Sequence, residues 1–181
     1  MLIRLPATTP SAAAWQLYES AFPRCERRSA ASHRAAVTHE TVFHADELRL
    51  RDGGDFAGIL YYWQWPEYSL CFVEHLAVQP ELRGRGIGHA ALELLRGTAD
   101  CVLLEIEPVV DEQTARRLSF YRSAGFEPLP YAHVQLPYHV GDAPVPMVLL
   151  SRCASGAAAS AAQVALLEKL LHEQVMLYVE R

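Results

Sequence analysis

The chain has 181 residues, enough for one domain or one domain with an appendage. An apolar fraction of 51% supplies an ample core and excludes a disordered chain. A net charge of −5 argues against nucleic acid as the main partner, since phosphate backbones select basic surfaces, and leans towards a cationic substrate.

Residues 2–6 read as a short first strand. Ser11 is placed to cap a helix running to about Phe22, with Trp15, Tyr18 and Phe22 at helical spacing, and Pro23 ends it. The charged run 24–29 reads as a solvated connection, followed by a second short helix over 32–39. Residues 41–51 and 56–63 read as strands joined at Asp52-Gly53-Gly54-Asp55, a hairpin signal. Tyr61, Tyr62, Trp63 and Trp65 form an aromatic cluster whose alternating faces assign most of it to the core and sheet surface. A strand over 70–78 continues the meander and stops at Pro80. From His89 the pattern turns helical, with Ala91, Leu92 and Leu95 on one face and Gly97 as a stop.

Residues 101–107 form the next strand, ended by Pro108. Parallel pairing with 70–78 through the intervening helix makes a right-handed βαβ unit. A helix over 111–124 ends at Gly125, and two last strands are expected near 131–136 and 145–151. Residues 155–162 are small and read as a linker or a frayed helix start, and 163–179 as one amphipathic helix through Val164, Leu167, Leu171, Val175 and Tyr178. The expected division is a domain over 1–152 and a linker with a terminal helix over 153–181, packing on the domain or on a second copy as a homodimer.

Cys25, Cys71, Cys101 and Cys153 contain no C-x-x-C pair; two of them sit inside expected strands, where cysteine reads as a small hydrophobe, and a reducing, cytoplasmic protein is expected. No apolar run approaches the roughly 18 residues of a membrane span, and Pro6, Thr8, Thr9 and Pro10 interrupt any N-terminal signal core. His33, His39, His44, His133 and His139 match no metal-ligand spacing and read as scattered surface histidines, so no metal is expected.

The chemistry concentrates in 73–96. Arg83-Gly84-Arg85-Gly86-Ile87-Gly88 follows a strand and opens a helix, with glycines at alternate positions where a backbone turns tightly and approaches a ligand closely. Unpaired amides and the helix dipole make such a turn a phosphate site, beside the cations Arg83 and Arg85. It is not a P-loop, having no Gly-Lys-Ser/Thr, and a dinucleotide fingerprint would need glycine where His89 stands. Arg83-x-x-Gly86-x-Gly88 after Leu76-Ala77-Val78 resembles the acetyl-CoA pyrophosphate loop of the GNAT superfamily of N-acyltransferases. Phe120-Tyr121-x-x-x-Gly125-Phe126 resembles a second segment of that superfamily, downstream in the expected order.

The resemblance implies a GNAT α/β fold: a mixed, mostly antiparallel sheet whose parallel central strands splay, flanked by helices, with the C-terminal amphipathic helix added. It implies acetyl transfer from acetyl-CoA to an amine of a small molecule or peptide, by direct attack in a ternary complex. Leu76, Ala77, Val78, Arg83, Gly84, Arg85, Gly86, Ile87, Gly88 and His89 would then bind the co-substrate, and Tyr121 would protonate the leaving thiolate. An alkyl amine, with a pKa near 10, needs a base before it attacks. Glu74 is the first candidate, expected on the strand face of Leu76 with His75 opposite; Glu105 and Glu107 compete. Many relatives carry asparagine where this chain has Thr114, which puts one pantetheine contact in doubt. The alternative is a CoA-binding module without catalysis.

Overall fold

The computed structural model describes residues 2–50 and 54–179. Its strands are β1 (Ile3–Pro6), β2 (Phe43–Arg49), β3 (Phe56–Trp65), β4 (Leu70–Val78), β5 (Cys101–Ile106), β6 (Glu127–Pro128), β7 (His133–Gln135) and β8 (Val145–Cys153). They form one sheet in the order β1-β2-β3-β4-β5-β8-β6, and β7 also pairs with β8. Every pairing is antiparallel except β4 with β5. The helices are α1 (Ala12–Ala21), α2 (Ala30–His39), α3 (Ile87–Glu93), α4 (Glu112–Ser123) and α5 (Ala161–Glu173). The mixed, mostly antiparallel sheet with a parallel centre is therefore as expected.

Local chemistry sets most boundaries. Ser11 caps α1 by accepting from the Ala14 amide. Ser29 caps α2 in the same way, so that helix begins at Ala30, two residues before the expected start. Gly97 and Gly125 stand past α3 and α4 with φ of +79° and +85°, the left-handed conformation of helix stops. The tail departs from expectation: α5 ends at Glu173, and one tight turn, Val175–Tyr178, follows instead of continuous helix. Asp52 and Gly53 of the expected hairpin turn lie outside the described residues, and the Leu50 amide donates to the Asp55 carbonyl across it.

Helices cover both sheet faces. On one, α1, α2 and α5 bury Leu17, Tyr18, Ala36, Leu167 and Leu170 against Trp63, Phe72 and Leu103. On the other, α3 and α4 pack Leu92, Leu118, Phe120 and Tyr121 on Tyr62, Cys71, Val73 and Leu104. The α5 helix thus shares the main core, and the turn after it is tied in by a 2.6 Å bond from Trp65 Nε1 to Gln174 Oε1.

Two sequence readings need correction. Cys101 and Cys153 are not separate reduced thiols: the β5–β8 register sets them opposite each other, and they are joined as a disulfide. Nor are the five histidines read as scattered mostly on the surface, since His33, His133 and His139 are buried, as is His75. The His33 ring lies among Trp15, Tyr18, Phe43 and Tyr61, and burial pushes its pKa down to about 4. Burial lowers His75 as well.

An unfolded histidine takes up a proton near pH 6.5. Between that pH and about 4 the unfolded chain binds a proton that native His33 refuses, so stability present above 6.5 is lost as pH falls through this window. The melting temperature should therefore drop from pH 7 to pH 5, and drop less in His33→Phe. Parallel pH profiles for the two proteins would contradict this assignment.

Candidate active site

The site is organised by the place where β4 and β5 part. They pair only from Leu70 with Cys101 to Val73 with Leu104. Beyond that, β4 continues from Glu74 to Val78 and β5 through Glu105 and Ile106 without pairing to each other. Facing backbone edges are left open, and Glu74 and Glu105 are the first residues past the parting.

On its other edge β4 pairs with β3, and there the register shifts: Tyr62 faces Val73 and Tyr61 faces His75, so Glu74 is the extra residue of a β-bulge. The bulge overturns the expected alternation. Glu74 is not on the face of Leu76, and His75 does not point away from it. Glu74 bonds Trp63 and Tyr138 of the α1–α2–α5 face, and His75 stacks edge-on to Tyr18 and Phe22 there. Leu76 and Val78 pack on the α3–α4 side.

Glu74 is fully engaged. Its Oε1 accepts from Arg28 Nε at 2.9 Å and the Tyr138 hydroxyl at 2.8 Å, and Oε2 accepts from Trp63 Nε1 at 2.6 Å. Both charged side chains are only 1% exposed. Burial alone would raise the Glu74 pKa, but Arg28, His75, Trp63 and Tyr138 together outweigh it and hold the carboxyl below its ordinary range. Arg28 also donates from Nη2 to the Val175 carbonyl at 2.7 Å and lies over the rings of Phe43, Trp63 and Tyr138. The charged run 24–29, read as solvated, thus supplies a buried cation. Its carbonyls are held down too: Glu26 by His75 Nε2, Cys25 by Gln135, and Arg24 and Arg27 by His139.

Glu105 differs. Its Oε2 lies 2.6 Å from His133 Nε2, and Oε1 makes no hydrogen bond among the described residues. It lines a cavity of about 10 Å³ with Phe72, Gln135, Leu136 and Tyr138, on the same side as Glu74. Glu107 is paired with Arg117 instead.

Across the sheet, Tyr121 stands in the last turn of α4 beside Phe120 and Phe126, and its hydroxyl has no hydrogen-bond partner among the described residues. Burial pushes its pKa up to about 12. Phe120 packs so closely on the glycine loop that a Cβ at Gly88 would come within 2.8 Å of its Cζ. His89 Nε2 lies 2.8 Å from Ser123 Oγ, which ties the loop to the same helix. Thr114 is committed elsewhere: its hydroxyl accepts from the Val110 and Asp111 amides in the α4 capping box.

The loop itself is open. Gly84 and Gly86 have φ of +73° and +76°, with no atom within 4 Å of a Cβ built on either. No backbone or side-chain acceptor takes the amides of Gly84 to His89 among the described residues. Arg83 donates to the Val78 carbonyl at 3.2 Å, while Arg85 is exposed and makes no ion pair among the described residues. No group of three or more histidine, cysteine or acidic side chains suited to a metal occurs among the described residues.

A family model described as an acetyltransferase (GNAT) domain matches residues 39–128, the stretch that contains β4, the glycine loop, α3, β5 and α4. The chain belongs to the GNAT family. A Bacteroides thetaiotaomicron protein assigned to the GNAT family is 27% identical to this GNAT chain, with a TM-score of 0.81, covering 97% of this chain and 99% of its own. YjbC of Bacillus subtilis strain 168, assigned as an acetyltransferase, is 31% identical over 109 residues, 59% of this chain. That match spans 52% of YjbC, about half its length. A Bacillus subtilis acetyltransferase solved in complex with CoA shares the fold, at TM-score 0.55 and 13% identity, over 84% of this GNAT chain and 99% of that one. No helix among the described residues is long and apolar enough to cross a membrane.

Proposed function

We propose that this GNAT domain transfers an acetyl group from acetyl-CoA to a primary amine of a small molecule or peptide, within a ternary complex. The observation that carries the reading is the parting of β4 and β5, with free amides in the glycine loop at one end and polar side chains on both sheet faces. The loop from Gly84 to His89 would hold the pyrophosphate through its amides and Arg85. The unpaired edge at Leu76, Ala77 and Val78 would hold the pantetheine arm. A relative of this fold has been solved with CoA, in keeping with that fit. When bound, acetyl-CoA supplies a thioester open to attack by an amine.

The protein's own residues then divide the proton work between the faces. On the α1–α2–α5 face a carboxylate takes the proton of the incoming ammonium, and on the α3–α4 face the Tyr121 hydroxyl donates towards the departing sulfur. Of the two carboxylates at the parting, Glu105 is the better acceptor. It has an oxygen without a partner, whereas three donors occupy Glu74. Glu74 is the second reading, favoured by its place on the bulge itself. The acidic balance of the chain favours a cationic acceptor.

The test is thiol release from acetyl-CoA against polyamines, aminoglycosides, amino acids and short peptides. An amine-dependent rate is expected, and Glu105→Gln should lower kcat by about 10²-fold or more with CoA affinity kept. A near-normal rate in Glu105→Gln, with a collapsed one in folded Glu74→Gln, would return the role to Glu74. Thiol release that no amine stimulates would leave a CoA-binding module.

A further inference from the structure

We propose that His133 is the positioning residue for Glu105, fixing this carboxylate so that Oε2 is occupied and Oε1 is left to accept the amine proton. The inference rests on the reading of Glu105 as proton acceptor and adds a residue that spacing had set among surface histidines. His133 is the one hydrogen-bonding partner of Glu105 among the described residues, at 2.6 Å, and its side chain is only 2% exposed. It stands on β7, whose pairing with β8 sets His133 opposite Met147, while Glu105 on β5 pairs with Leu149 on the same β8. The sheet register therefore holds the pair together without a flexible loop.

The other ring nitrogen settles the direction of the bond. Nδ1 faces Glu168 of α5 at 3.9 Å, beyond hydrogen-bond distance. A neutral imidazole has one N–H. A carboxylate accepts and never donates, so a 2.6 Å contact to Glu105 puts that proton on Nε2. His133 also lines an open groove of about 850 Å³ between the β7–β8 hairpin and α5, with Glu168, Lys169 and His172 along it. The charged or titratable groups around the pair are thus Glu168, Lys169 and His172 from α5, Glu26 from the α1–α2 connection and Tyr138 from the β7–β8 loop.

The proton step balances simply. The ammonium N–H breaks as an O–H forms on Glu105 Oε1, and the His133 Nε2–H stays in place throughout. Loss of His133 frees the carboxylate to turn, so that Oε1 is no longer held towards the incoming ammonium.

Three measurements test this. In His133→Ala, kcat should fall about 10- to 100-fold, part of the 10²- to 10⁴-fold that a proton acceptor contributes, with KM for acetyl-CoA kept. His133→Gln, whose side-chain amide also donates, should recover much of that loss, and His172→Ala, in the same groove but not hydrogen-bonded to Glu105, should behave as wild type. Independently of activity, nitrogen-15 NMR of histidine-labelled free protein should show His133 as the Nε2–H tautomer, a preference weakened in Glu105→Gln. Wild-type kinetics in His133→Ala, or an Nδ1–H tautomer at His133, overturns the proposal. If Glu74 proves to be the base, the kinetic arm fails while the tautomer remains, which separates that failure from a misread hydrogen bond.

Discussion

Replacing Arg28 by methionine should destabilise the fold by about 3–5 kcal/mol, the cost of leaving a buried charge without its partner. Methionine fills much of the space over Phe43, Trp63 and Tyr138, so lost packing is the smaller part. What remains is an ionised Glu74, 1% exposed, with the Trp63 and Tyr138 donors but no counter-charge. For a chain of this length the melting temperature should fall on the order of 10 °C. The Val175 carbonyl also loses its donor, so the turn after α5 should become open to proteolysis first. Adding Glu74→Gln should restore part of the loss, since the double variant has no lone charge to bury. Urea melts of the two singles and the double measure this coupling. Additive losses would mean that Arg28 and Glu74 act independently.

The second large effect is on rate. Tyr121→Phe keeps the ring contacts with Phe120 and Phe126 and removes a hydroxyl that bonds nothing among the described residues. Stability should hardly change. With burial pushing its pKa up to about 12, Tyr121 keeps its proton across any practical assay range. So weak an acid acts mainly by hydrogen-bonding the departing sulfur, with full transfer late in the step. Removal of one such donor costs about 10²- to 10³-fold in kcat, and that loss is expected with CoA binding intact. Wild-type turnover, under conditions where chemistry limits the rate, would remove Tyr121 from the mechanism.

The elements closest to local chemistry were legible in the sequence. Ser11 caps as its side chain predicts, and Gly97 and Gly125 stop helices in the conformation that glycine favours. The alternating glycines after Leu76-Ala77-Val78 mark the loop whose amides are found free. What escaped depends on partners distant in sequence. A period-two pattern cannot show a bulge, so nothing in Phe72-Val73-Glu74-His75-Leu76 reveals that Glu74 and His75 share a face. Arg28 looks like its neighbours Arg24 and Arg27 until Glu74, 46 residues on, is packed against it. The Cys101–Cys153 bridge needs the β5–β8 register, and His133 meets Glu105 only when β7 is laid beside that same strand. The helix after Ser160 ends early, and Gln174 just past its end accepts from Trp65, a contact invisible to the apolar spacing of the tail.

The central claim is that the glycine loop and the opening between β4 and β5 hold acetyl-CoA, and thermal melting with and without the ligand tests it most directly. A ligand that binds only the native state, present at about 100 times its dissociation constant, adds roughly 2.7 kcal/mol. The wild type should therefore melt several degrees higher with acetyl-CoA or CoA, and unchanged with ATP or NAD. Gly86→Val should lose most of that shift, because a side chain at φ +76° strains the loop and fills the open space over its amides. A wild-type melting curve unmoved by millimolar CoA, or an equal shift in Gly86→Val, would contradict the account.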